Sequence, residues 1–193
     1  TGAEALARMR STGEEIMPVE FIPLMETVGD ITRLDFLIYD KVCRYMAERK
    51  RRGLSSFSVS VNISREEFKN AGFVDDFHRL VTGYGVDPKD LGLEITESIF
   101  VENLMEISDA VNRFREYGYP ILLDDFGSGF SSLNVLKDIS FDIIKLDRSF
   151  LGRSEITYAN KSIISSIVNL SRDLNVEVLC EGVENEAQAR FLK

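Results

Sequence analysis

Pro120-Ile121-Leu122-Leu123-Asp124-Asp125-Phe126-Gly127 runs from an apolar stretch straight into two adjacent carboxylates and a glycine. The apolar run has the length and composition of a buried strand. Nothing about packing asks for two acids at its end. Side by side and partly desolvated, they repel each other unless a cation shares them. A pair of hard oxygen ligands in that position is a candidate site for Mg²⁺ or Mn²⁺. Taken alone, Asp125 reads first as the N-cap of a following helix, and it is the rest of the chain that favours the metal site.

The rest of the chain repeats the arrangement. Phe57-Ser58-Val59-Ser60-Val61 ends in Asn62, and Leu91-Gly92-Leu93 ends in Glu94, followed by Ile95, Thr96 and Glu97. Phe141-Asp142-Ile143-Ile144 leads into Lys145-Leu146-Asp147, and Val176 through Cys180 leads into Glu181-Gly182. Near the start, Glu4-Ala5-Leu6 lies in another short strand-like piece. Six strand candidates thus carry a chargeable or metal-capable residue at or near the C-terminal end. Between them lie helical patterns. Leu104, Ile107, Val111 and Phe114 share one face, as do Ile163, Ile167, Leu170 and Leu174. Ile31 to Lys50 predicts a helix with Leu34, Leu37, Ile38, Val42 and Met46 on one side and a basic last turn before Gly53. Phe73, Val74, Phe77, Leu80 and Val81 predict a further helix closed by Gly83 and Gly85.

Strand and helix alternate about six times, which implies a parallel sheet covered by helices. Functional-looking residues at every strand end favour a (β/α)₈ barrel, whose strands converge on one mouth. An open doubly wound sheet gathers ligands at a single switch point. No GxGxxG or GxxxxGK[ST] loop supports the open alternative. A barrel usually needs about 250 residues, and this chain has 193. The sequence therefore reads as one domain, 1–193, incomplete at both ends, with a final helix from Glu184 to Lys193.

Composition narrows the function. A net charge of −9 argues against a polymeric nucleic acid as partner, and Arg49-Lys50-Arg51-Arg52 reads as ordinary helix-end cations. No apolar stretch approaches the ~20 residues of a membrane span. Two cysteines, Cys43 and Cys180, indicate a reducing compartment without a disulfide; Cys180 reads as core rather than nucleophile. The one histidine, His78, sits mid-helix and reads as structural.

Glu4, Asn62, Glu94, Asp124, Asp125 and Glu181, with Lys145, form an oxygen-rich donor set. It holds more acids than one ion normally takes, and two ions would use them better. Two-metal sites stabilise both attacking and leaving oxygens at phosphorus, so the residues point to metal-dependent phosphoester hydrolysis. An enolase-like barrel, with one Mg²⁺ and a lysine base, is the rival reading.

In sequence order these residues form a set of motifs. Glu4-Ala5-Leu6, Pro18 with Phe21-Ile22-Pro23 and Glu26, Val61-Asn62-Ile63-Ser64, Glu94-Ile95-Thr96-Glu97, Asp124 through Ser132, Lys145-Leu146-Asp147 with Phe150, and Glu181-Gly182-Val183-Glu184 resemble the signature of the EAL domain family, bacterial phosphodiesterases acting on cyclic di-GMP. The resemblance covers the whole chain. It implies a TIM-like (β/α)₈ barrel of EAL type with an antiparallel first strand, its terminal elements outside this chain, and hydrolysis of cyclic di-GMP to linear pGpG with two Mg²⁺ or Mn²⁺ ions. By the same resemblance Glu4, Asn62, Glu94 and Asp124 hold the first metal. Asp124 bridges to a second metal held by Asp125, near which Glu181 acts through water or as general base. Lys145 hydrogen-bonds the attacking water. Arg8 contacts a substrate phosphate, Asp147 the guanine side, and Glu97 anchors the Asp124–Ser132 loop. That loop and the helix after it imply a homodimer, and the family implies sensor or diguanylate-cyclase modules in a cytoplasmic parent protein, membrane-anchored or not. Met9 stands where the family usually has tryptophan after the arginine, and the family's late glutamine would fall beyond Lys193. A catalytically silent cyclic di-GMP receptor, or a dimerisation module, is the alternative reading.

Overall fold

The computed structural model describes residues 2–101, 104–127, 132–152 and 156–193. The chain divides into two compact units, Thr1–Glu94 with Met105–Pro120, and Ile95–Leu104 with Ile121–Lys193.

The first unit carries β1 (Gly2–Ala5), β4 (Ser58–Asn62) and the start of β5 (Leu91–Thr96), all parallel. A hairpin, β2 (Met9–Ser11) with β3 (Glu14–Ile16), is the antiparallel pair among the described residues. The antiparallel first strand implied by the family resemblance is not among them; β1, which bears Glu4, runs parallel to β4. Around these strands pack α1 (Pro18–Val28), α2 (Ile31–Arg51), α3 (Phe73–Gly83) and α4 (Leu104–Glu116). The core is aromatic. Phe73 and Phe77 meet Phe114 edge-to-face at centroid distances of 5.6 and 5.5 Å, and Tyr39 meets Phe77 at 4.9 Å. Such pairs add about 0.5–1.5 kcal/mol each beyond their burial.

In the second unit β6 (Ile121–Phe126), β7 (Ile143–Leu146) and β8 (Glu177–Cys180) are parallel neighbours. They are accompanied by α5 (Ser132–Asp138), α6 (Tyr158–Leu174) and α7 (Glu186–Leu192). Leu123, Ile144, Leu146 and Leu151 are fully buried. The six strands fall where the apolar runs place them, with ends shifted by a residue or two.

Two helix faces are corrected. The buried line of α2 is Ile31, Asp35, Tyr39 and Cys43, while Leu37 is half exposed. That i, i+4 line contains a carboxylate and a phenol, which an apolar pattern passes over. On α6 the buried residues are Ile164, Ile167 and Ser171, with Ile163 and Leu174 exposed. The face is rotated by one residue because Ser171 completes it, its hydroxyl donating to Ile167 O at 2.9 Å.

The basic end of α2 is absorbed within the fold. Arg49 stacks over the Phe57 ring at 4.8 Å and donates to Ser55 O, Lys50 donates to Gly85 O, and Arg51 pairs with Glu48. His78 is structural: its ring stacks on Tyr117 at 3.9 Å, and Nδ1 lies 3.1 Å from Tyr119 Oη.

Candidate active site

Each unit presents its own group of functional residues at the C-terminal ends of parallel strands. In the first, Asn62 closes β4 and faces Glu94 of β5 in register. Asn62 Nδ2 donates to Glu4 Oε1 at 2.9 Å, which turns its amide nitrogen toward the acid and leaves Oδ1 out of that bond. Glu94 is buried at 1% exposure. The strand end is held from two sides: Ile63 N–H donates to Glu94 O at 2.9 Å, and Tyr39 Oη donates to Asn62 O at 3.2 Å. Arg8 lies between β1 and β2, with its guanidinium 3.6 Å from Glu15 Oε1 and donating to Ala7 O.

The second unit is organised by a β-bulge. Leu123 pairs with Ile144 and Phe126 with Leu146, so Asp124 and Asp125 together stand opposite Lys145 alone. An extra residue on one strand kinks it and re-aims a side chain, which is how two adjacent acids fit into a strand whose side chains otherwise alternate faces. Asp125 takes up the irregularity with φ +53°, a left-handed conformation that Asp tolerates better than most residues. It lies inside β6 rather than at the head of a helix, so the N-cap reading does not hold.

Lys145 Nζ bridges two carboxylates, 3.2 Å from Asp124 Oδ1 and 2.8 Å from Glu181 Oε1. The first contact is an ion pair outside hydrogen-bond geometry: Asp124 Oδ1 is sheltered from solvent and has no hydrogen-bond partner. Asp125 has its carboxyl raised above the ordinary range, first by burial and then by the negative charges of Asp124, Asp147 and Glu181, which outweigh the opposing pull of Lys145. Asp147 instead caps the 3₁₀ turn Arg148–Leu151, and the hydrogen bond from Ser149 holds its carboxyl below the usual range. Glu97 Oε2 accepts from Gly127 N–H at 3.0 Å. The loop between Gly127 and Ser132 is outside the described residues, and with it most of the segment that the dimer reading invokes.

Among the described residues no group of three or more His, Cys, Asp or Glu side chains stands close enough together to hold a metal ion. The donor chemistry nonetheless fits a hard divalent cation. Every candidate ligand atom is a carboxylate or amide oxygen, and Asp124 Oδ1, which faces the Lys145 ammonium at 3.2 Å but accepts no hydrogen bond, keeps lone-pair capacity for a cation.

Cys43 is fully buried, its thiol pushed up to about 12 chiefly by desolvation. Cys180 is half-buried and likewise raised. Neither is primed as a nucleophile. No helix among the described residues is long and apolar enough to cross a membrane.

The chain is 34% identical over 192 residues to the bifunctional diguanylate cyclase/cyclic di-GMP phosphodiesterase MucR of Pseudomonas aeruginosa, covering 99% of this chain and 28% of that protein. It is 32% identical over 193 residues to the probable cyclic di-GMP phosphodiesterase PdeB of Escherichia coli, covering 36% of it. The chain thus spans about a quarter to a third of the curated relatives it matches. Among solved structures, the PaMucR phosphodiesterase in complex with c-di-GMP superposes with a TM-score of 0.89 at 34% identity, over 98% of this chain and 77% of that one. The EAL enzyme Bd1971, bound to cAMP and cyclic di-GMP, gives a TM-score of 0.89 at 31% identity, over 100% of this chain and 53% of that one. The TIM-like barrel class read from the sequence therefore holds. The family model matches residues 1–193 from end to end, and the chain belongs to the EAL domain family.

Proposed function

We propose that this chain is a cyclic di-GMP phosphodiesterase domain that hydrolyses one 3′-5′ phosphodiester bond to give linear pGpG, using two Mg²⁺ or Mn²⁺ ions. The observation that carries the reading is the bulge of β6, which sets Asp124 and Asp125 together against a buried lysine tied to Glu181. Family membership and relatives named as cyclic di-GMP phosphodiesterases support the substrate.

In this reading Glu4, Asn62, Glu94 and Asp124 would hold one ion, and Asp125, with Asp124 and Glu181, would hold the second. Two divalent ions would supply Lewis-acid stabilisation of the attacking and leaving oxygens of an in-line displacement at phosphorus. The protein's own share is positional. Lys145, anchored by two carboxylates, presents its ammonium protons at a fixed point, where they orient the attacking water and offset charge on the phosphate. Glu181, at the end of β8 and more exposed than Asp124, acts near the second ion, either through water or as general base. Arg8 exchanges its contact with Glu15 for a substrate phosphate, and Asp147 meets a guanine edge. Glu97, through Gly127, holds the turn that follows the two acids. Homodimerisation through that loop and α5, and sensor or cyclase modules in a cytoplasmic parent protein, complete the proposal.

The test is incubation with cyclic di-GMP and Mn²⁺, following pGpG by chromatography, with Asp124→Asn and EDTA as controls. Turnover abolished by both supports the reading. Nucleotide binding without turnover in any metal replaces it with a receptor.

A further inference from the structure

Away from the acids at the strand ends, three buried oxygens in the first unit have no hydrogen-bond partner: Asp35 Oδ2, Ser64 Oγ and Glu67 Oε1. Asp35 occupies the buried line of α2, where an apolar side chain would otherwise sit, and is 7% exposed. Glu67, at 1%, is the buried residue of the 3₁₀ turn Arg65–Lys69 that follows β4. Ser64 stands at the N-cap of that turn, yet its hydroxyl caps nothing. It faces Asp35 instead: the Ser64 backbone N–H and hydroxyl both ease the burial of that carboxylate, although Oγ misses hydrogen-bond geometry and Asp35 Oδ2 stays without a donor.

Two carboxylates at this depth are too costly to ionise together without a cation. The groups that face them are Glu26 from α1 and Tyr39 from α2, and neither is positive. Burial therefore pushes Asp35 up to about 6, and pushes Glu67 up to about 8, where the Asp35 charge adds to the effect.

The cluster lies against the segment that carries Asn62. Tyr39, one turn along α2 from Asp35, donates to Asn62 O. Glu67 N–H donates to Ser64 O at 3.2 Å, and Ile63 N–H donates to Glu94 O. We infer that Asp35 and Glu67 are positioning residues that hold a shared proton against Ser64 and in that state pin the Asn62–Ser64 segment. The link to metal binding rests on the proposed role of Asn62; the pinning does not. Because both acids are shifted upward by folding, their favourable contribution is complete below the ordinary carboxylate range and is lost as pH rises through about 8.

The experiment is amide hydrogen exchange on the full chain at about pH 6 and about pH 9, corrected for intrinsic rates, with Mn²⁺ titration calorimetry in parallel. Ile63 is the reporter and Val111 of α4 the reference. Wild-type Ile63 is expected to lose protection by about tenfold or more at the higher pH while Val111 holds. Glu67→Gln, a neutral isostere, should keep Ile63 protected throughout, whereas Asp35→Asn should weaken the loss without abolishing it, because burial alone still raises Glu67. Mn²⁺ affinity should follow Ile63 in the wild type and become pH-independent in Glu67→Gln. Equal behaviour of Ile63 and Val111, or an undiminished pH response in both variants, overturns the pair. Absence of Mn²⁺ binding at every pH overturns the metal-ligand reading of Asn62 and leaves the exchange result to judge the pair alone.

Discussion

Replacing Gly127 by alanine tests the local geometry that follows the two acids. Gly127 has φ +88°, and a Cβ built there falls 2.2 Å from Phe150 Cζ and 2.6 Å from Cε2. Two costs add. Alanine in the left-handed region loses about 1 kcal/mol relative to glycine. Displacing a packed ring costs roughly 1–3 kcal/mol more. Phe150 is partly buried and its backbone is held, the carbonyl accepting from Asn160 Nδ2 at 2.6 Å, so relief comes from turning the ring. The expected destabilisation is about 2–4 kcal/mol, or a fall in melting temperature of roughly 4–16 °C at about 2–4 °C per kcal/mol for a chain of this size. Urea unfolding of wild type, Gly127→Ala, Phe150→Ala and the double variant measures it. Removing the ring should abolish the steric part, so the double variant should lose about 1–3 kcal/mol less than the sum of the single changes. A Gly127→Ala cost below about 1 kcal/mol, or strict additivity with Phe150→Ala, would refute the argument.

Other outcomes follow from the same contacts. Lys145→Met leaves Asp124 and Glu181 without their shared cation and should cost about 2–4 kcal/mol in thermal unfolding, somewhat below a fully buried pair because Glu181 is partly exposed, with turnover lost as well. Asp147→Ala removes the cap of the 3₁₀ turn and should cost about 1 kcal/mol near neutral pH. Since the Asp147 carboxyl is held below its usual range, its contribution is present above that range and fades as pH falls through the folded value, so the gap between variant and wild type should narrow in acid urea titrations. Near pH 8, about the range of an ordinary thiol, a thiol reagent should spare Cys43 in the native state and reach it only in urea, while half-buried Cys180 remains open to slow labelling.

The parallel strands were legible because buried strands in such a fold read as continuous apolar runs, and the residues at their ends stood out against that background. The bulge was not legible. It depends on one residue adopting a positive φ, and the letters Asp124-Asp125 read equally well as a regular strand end. Polar members of buried faces were missed for a simpler reason: Asp35, Tyr39 and Ser171 carry no apolar signal, so the α2 and α6 faces came out rotated. The β2–β3 hairpin is short and mostly charged, and its usable sign was Thr12-Gly13, both with positive φ in the turn. Pro23 obscured α1, although Pro18 at its first turn and Glu20, which accepts from Met17 N–H at 3.0 Å, marked its start. Glu67 was passed over because a surface-looking turn gives no hint of burial.

The surplus residue in β6 also sets which mutations the segment can absorb. A substitution at Asp124 or Asp125 changes chemistry and keeps the chain's count. A one-residue deletion would restore regular pairing with β7: Phe126 already stands opposite Leu146, so it would keep its partner and its face. Gly127 would likewise stay beside Glu97 and the Phe150 ring. What would go is one acid, together with the kink that lets two neighbours stand against a single lysine. Shortening this strand by a single codon should thus leave a folded chain without its paired carboxylates, and functional relatives should hold the length between Leu123 and Gly127 constant.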